Sequence, residues 1–202
     1  MPYSLILLFC LLATVLSAQG PDAAQQAMKL ARHRIVAAKF VQIRHLAELE
    51  MDVEARGAMV SELDGRLRWQ VDTPVRSVTV IDREKLTHFD GETGTAAVIG
   101  RKQFPWLKLL RDSLDDWLSG DPERLAKRFE VTFPKPRTLH LVPRDADLKK
   151  LCPSVDITLS PDGGAISSIR IAEDGGDTLE IRFSEVVNNP ELSSDIWRMP
   201  RR

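Results

Sequence analysis

The sequence predicts a mainly β fold with some α (α+β): a curved antiparallel sheet of about ten strands, forming a half-open β-barrel under a lid of two to three helices. Three observations predict it. Residues 65–71 alternate polar and apolar side chains, so Leu67, Trp69 and Val71 share one strand face and Arg66, Arg68 and Gln70 the other. The same alternation returns at Leu139/Leu141, Val155/Ile157/Leu159, Ile169/Ile171 and Leu179/Ile181/Phe183, with Arg170, Glu180 and Arg182 facing solvent. Turn-forming clusters separate these runs, at Asp64-Gly65, Asp72-Thr73-Pro74, Asp162-Gly163-Gly164 and Asp174-Gly175-Gly176-Asp177. A barrel of about ten strands is too wide for its own side chains to fill, since eight already leave room for a small ligand. Its oily face therefore needs a cover.

The elements follow in order. Asp22 caps a helix running to about Ala37, with Ala27, Leu30, Ala31 and Ile35 at helical spacing. The period then shortens, and Phe40–Leu49, Met51–Leu63, Gly65–Val71, Arg76–Asp82 and Lys85–Phe89 read as successive strands. Pro74 cannot donate to a ladder and marks a strand end. Between Gln103 and Gly120, Trp106, Leu107, Leu109, Leu110, Leu114, Trp117 and Leu118 make a helical stripe, with Pro105 in a first turn and Gly120 as a stop. Asp121-Pro122 opens a short helix to about Arg128. Strands resume at Phe129–Phe133, Thr138–Val142, Val155–Leu159, Ile166–Ala172 and Thr178–Val187, with a Pro-Lys-Pro turn at 134–136 and a helical turn at Ala146–Leu151.

The ends and the charge bound the function. Leu5–Leu16 is an apolar run followed by small residues at Ser17-Ala18-Gln19-Gly20. It is shorter than the roughly 20 residues that span a bilayer, and it matches a secretory signal cleaved between residues 17 and 20. Residues 20–202 then form one domain in an exported protein. Past the signal the only cysteine is Cys152, so no disulfide within the chain is available. A net charge of -1 argues against a nucleic-acid or anionic-membrane partner.

No catalytic or metal constellation emerges from the pattern. His33, His45, His88 and His140 stand at no metal-ligand spacing. Ser113 and Ser119 have no base nearby, and Asp115-Asp116 are adjacent helix residues that point apart. The Asp174–Asp177 turn lacks the ligand count of a calcium loop. Lys149-Lys150 and Arg201-Arg202 are too short for a nucleic-acid footprint. The expectation is a monomeric binding protein without cofactor or metal, and not an enzyme.

The order of landmarks resembles the periplasmic outer-membrane lipoprotein carrier (LolA) family across nearly all of the chain past the signal. They run from Phe40-Val41-Gln42 through Gly57 to Gly65-Arg66-Leu67-Arg68-Trp69 and Thr73-Pro74. Ser77–Asp82, the Leu-rich helix before Gly120-Asp121, Phe129 and Leu141-Val142-Pro143 come next. Asp162-Gly163 with Ile166, and Ile181-Arg182-Phe183 through Asn188-Asn189-Pro190-Glu191-Leu192, close the match. The resemblance implies a lidded half-barrel whose hydrophobic cavity holds acyl chains. Its cargo would be a lipid or lipoprotein taken from an inner-membrane ABC transporter and passed to an outer-membrane acceptor. On that basis Phe40, Leu67, Trp69 and Val71 are expected to line the cavity, and Trp106, Leu110, Leu114 and Trp117 to cover it as the lid.

Two departures stand out. The family commonly carries Arg-Pro shortly before the aromatic strand, and that arginine helps latch the lid. Here Leu63-Asp64 occupy the place, so the latch is either missing or transferred to Arg66 or Arg68. The chain also stops soon after Trp197, where family members usually continue. Both point to a divergent relative serving a dedicated lipid export pathway. A non-transporting periplasmic lipid-sensing or regulatory module is the alternative, and an enzyme acting on an exported glycan or lipid is the third reading.

Overall fold

The computed structural model describes residues 33–63, 65–100 and 122–200. The expected signal, the helix after Asp22 up to residue 32, and the Leu-rich stretch 103–120 lie outside the described residues. In chain order come β1 (Ile35–Leu46), β2 (Met51–Glu62), β3 (Arg66–Thr73), β4 (Ser77–Ile81), β5 (Lys85–Asp90) and β6 (Thr95–Gly100). Helix α1 (Pro122–Arg128) leads into β7 (Phe129–Lys135) and β8 (Thr138–Pro143). Helix α2 (Ala146–Leu151) then precedes β9 (Ser154–Leu159), β10 (Ile166–Ala172) and β11 (Thr178–Asn188).

These strands form one open antiparallel sheet of 11 strands, in the order β6-β5-β4-β3-β2-β1-β11-β10-β9-β8-β7. The fold is thus an α+β half-barrel made of two meanders. They meet at a single seam, where β1 pairs with β11 from Val36↔Asn188 to His45↔Thr178. At the head of that seam the Asn189 side-chain oxygen accepts from the backbone N–H groups of Arg34 and Ile35, at 3.0 and 3.1 Å.

Three boundaries differ from the sequence reading. Ile35–Ala37, expected to end a helix, are instead strand, because Ile35 and Val36 are β-branched and pair with Glu62 and Ser61 of β2. That strand then ends at Leu46, and Ala47–Leu49 form a single 3-10 turn. The turn expected at 134–136 moves onto Pro136 and Arg137, because a register shift between Thr132 and Lys135 absorbs Pro134 into edge strand β7. Strand β6 was not expected. Its Thr-Ala-Ala-Val-Ile-Gly sequence has no polar–apolar beat, since it lies at the sheet edge with Thr95–Val98 exposed.

Packing divides the inner face into a filled part and an open part. Over β7–β10, Leu125 of α1 and Leu139, Leu141, Val155, Ile157 and Ile169 form a buried cluster, with Leu148 of α2 against it. Cys152 packs against the same cluster. Burial, followed by the nearby Glu173 carboxylate, pushes its thiol up to about 11. At pH 8 only about one thiol in a thousand is ionised. Alkylation of the native protein by iodoacetamide at pH 8 should therefore be about a hundredfold slower than after unfolding in urea. Equal rates in the two states would contradict the packing.

Candidate functional site

Alternation places Leu67, Trp69, Thr79 and Ile81 on the inner face, together with Ala38, Met59 and Ser61 of the adjoining strands. No helix among the described residues packs here as α1 does over β7–β10. Instead a cavity of about 310 Å³ remains open. That volume lies near the lower end of the range for small-ligand pockets, about 300–1,000 Å³.

Each meander supplies a wall. Leu67, Trp69, Ile81 and Leu86 come from one, and Ile169, Ile171, Ile181 and Phe183 from the other. Ala38 and Met59 form the floor between them. Among the described residues, polar side chains on the lining are few: His33, Gln42, Ser61, Thr79 and Asn188. Such a surface offers dispersion contact and water exclusion to hydrocarbon, with little to orient a polar substrate.

The loop between β9 and β10 bounds one end of the cavity through Gly164 and Ala165. Asp162 organises that loop by accepting from the Ser160 hydroxyl and from the Gly164 N–H, the latter at 3.1 Å. These bonds hold the exposed Asp162 carboxyl below its ordinary range, the Ser160 bond first. A carboxyl depressed in this way keeps the turn tied at neutral pH and releases it as pH falls through the lowered value. The Gly164 carbonyl lies 3.2 Å from His33 Nε2, which closes the loop onto the start of β1.

The expected site residues fall in four places. Leu67 and Trp69 line the cavity. Phe40 shares the inner face of β1 with Ala38 and Gln42 but is only 2% exposed, with its ring stacked on Trp69 at a centroid distance of 3.9 Å and 22° between planes. Val71 packs in that same cluster, and neither Phe40 nor Val71 is on the lining. Trp106, Leu110, Leu114 and Trp117 lie outside the described residues.

Arg66 and Arg68 point to the outer face. Arg66 pairs with Glu62 at 2.7 Å and stacks its guanidinium 4.5 Å above the Trp197 ring. Arg68 Nη1 donates to the Arg198 carbonyl at 3.0 Å and Nη2 donates to Gln70 at 3.0 Å. Burial lowers the Arg68 pKa, and the Arg76 charge adds to the effect. Both arginines thus hold the C-terminal tail, whose Trp197 and Met199 cover an outer apolar cluster of Val78, Val80 and Phe89. Trp197→Ala should cost about 2 kcal/mol through lost burial and the lost cation–π contact. A lower urea midpoint with unchanged acyl-probe binding is the expected result; unchanged stability would deny the tail its structural role.

The second wall was legible only in part. Ile169, Ile171, Ile181 and Phe183 read as inward-facing, but only the β1–β11 pairing brings them opposite Leu67 and Trp69. The histidines do not converge: His45 pairs with Asp52 at 2.8 Å and His140 with Asp156 at 2.6 Å, each across neighbouring strands. Among the described residues no group of three or more His, Cys, Asp or Glu side chains could hold a metal ion. No helix among them is long and apolar enough to cross a membrane.

Comparison with known proteins agrees with this architecture. The family described as outer membrane lipoprotein carrier protein LolA matches residues 32–200. An outer-membrane lipoprotein carrier protein of Coxiella burnetii is 25% identical over 189 residues, covering 92% of this chain and 86% of the relative. Among solved structures, a chain in the MucA/MucB complex of Pseudomonas aeruginosa superposes with a TM-score of 0.52 at 14% identity. The match covers 88% of this chain and only 61% of that one. A conserved protein of Thermus thermophilus superposes with a TM-score of 0.51 at 10% identity, covering 89% and 93% of the two chains. Both structures share the fold. With its family match spanning most of the length, the chain belongs to the outer-membrane lipoprotein carrier (LolA) family.

Proposed function

We propose that the protein is a periplasmic carrier that shelters the acyl chains of a lipid or lipoprotein, taking them from an inner-membrane transporter and delivering them to an outer-membrane acceptor. The observation that carries this reading is the apolar cavity left open between the two meanders. An acyl chain of about 16 carbons is worth roughly 13 kcal/mol in transfer energy, at about 0.8 kcal/mol per methylene. No such chain crosses an aqueous compartment at a useful rate without a protein surface that replaces the membrane. Family membership supports lipoprotein as the cargo. The Leu63-Asp64 departure, with Arg66 and Arg68 committed to the tail, supports a dedicated export route over general lipoprotein traffic.

Native mass spectrometry of the full chain purified from periplasm tests the proposal. Protein carrying acylated species that detergent removes is the expected result. Lipid-free protein that also fails to bind a fluorescent acyl probe would overturn it.

A further inference from the structure

We propose that Ser61 is the hydrogen-bonding contact for the carbonyl of an ester- or amide-linked acyl chain, with Asn188 receiving the rest of the polar head. The inference rests on the carrier reading above and deepens it, by stating which end of the ligand lies where. Pairing registers align Leu86, Ile81, Leu67, Ser61, Val36 and Asn188 in one row across β5, β4, β3, β2, β1 and β11. All of them except Ser61 and Asn188 are aliphatic, so the row reads as cavity wall interrupted by one hydroxyl.

That hydroxyl is buried. Ser61 is 3% exposed, the one buried polar residue among the described residues, and it lies on the cavity lining. Its hydroxyl has no hydrogen-bond partner among the described residues, a state that costs free energy unless something arrives to pair with it. Alanine or valine would pack between Leu67 and Val36 without that cost. The energetic sense of a serine here is a hydrogen-bond donor to a ligand.

The neighbourhood says which part of a lipid fits. Asn188 also lines the cavity, but it is exposed, so this corner is where the pocket meets water. Strand spacing separates Asn188 from Ser61 by about 10 Å, one strand lying between them. His33 walls the same corner and is held there by the Gly164 carbonyl. From Ser61 the lining runs inward to Met59, Ala38 and Trp69, all apolar. An acyl chain thus enters with its tail over Trp69 and its carbonyl oxygen at the Ser61 hydroxyl, leaving the head at Asn188. A plain hydrocarbon gains nothing from this corner.

The test compares methyl laurate with n-tetradecane, matched in length and delivered from methyl-β-cyclodextrin, as competitors for N-phenyl-1-naphthylamine bound to the full chain. Ser61→Ala and Ser61→Val should each lower the ratio of ester to alkane affinity about fivefold, one neutral hydrogen bond, while Ser61→Thr restores it. The empty Ser61→Ala protein should melt at a higher temperature than the parent, because an unpaired hydroxyl is gone. An unchanged affinity ratio, or a lower melting temperature, would overturn the subsite while leaving the carrier reading intact. Failure of both competitors to displace the probe from the parent protein would defeat the carrier reading, and the subsite with it.

Discussion

Gly57→Val should leave little folded protein, and Gly57→Ala should lose about 4 kcal/mol or more of a total of about 5–15 kcal/mol. A β-carbon on Gly57 would sit 1.8 Å from the Gln70 carbonyl oxygen and 2.8 Å from its carbon. Both are backbone atoms of the adjoining strand and cannot rotate away. On the other side the Phe40 ring tip lies 3.0 Å from that position, so the new atom has no free direction. Relief would require β2 and β3 to part at their register shift between Arg56 and Gly57, which also disturbs the Phe40–Trp69 stack. Urea unfolding measures the loss as a lower midpoint at unchanged slope. An alanine variant within about 1 kcal/mol of the parent would mean that the two strands are not in such close contact.

Leu67→Glu should abolish acyl-probe binding, weakening it at least about a hundredfold, while the sheet stays folded. Leu67 lines the cavity in the row that contains Ile81 and Ser61. A carboxylate there either projects into the space that hydrocarbon occupies or must lose its hydration when hydrocarbon enters. A penalty of about 3 kcal/mol suffices for the hundredfold change. Far-UV circular dichroism and the urea midpoint report on folding. Ala38→Phe gives an independent check, because it takes up cavity volume without adding charge. If both variants bind the probe like the parent, the ligand lies elsewhere and the cavity assignment fails.

Alternation is a strong signal wherever one face is buried and the other wet. It therefore located β3, β8, β9, β10 and β11 with little error, down to which side chains face inward. It failed at β6, whose Ala96, Ala97 and Val98 are all exposed, so neither face carries a distinguishing polarity. The same rule placed Arg66 and Arg68 opposite Leu67. What it could not supply was their partner, since Trp197 and Arg198 lie some 130 residues away in the chain and reach these arginines only through the fold. Periodicity also cannot say whether an apolar face is filled. Phe40 and Trp69 have the same polarity pattern and stack on each other, yet only Trp69 borders the open space. Ser61 is the extreme case. In sequence it is an ordinary strand serine, and its isolation becomes visible only when five other strands align beside it.

The β1–β11 seam carries a consequence for timing. Arg34 and Asn189, the pair that heads it, are separated by 155 residues, and the opposing cavity walls belong to meanders joined nowhere else in the sheet. Loop closure over such a span is slow. A growing chain that has not yet released its last strand owns two unconnected half-surfaces and no pocket. The pocket is therefore an all-or-nothing property, acquired only when β11 pairs with β1.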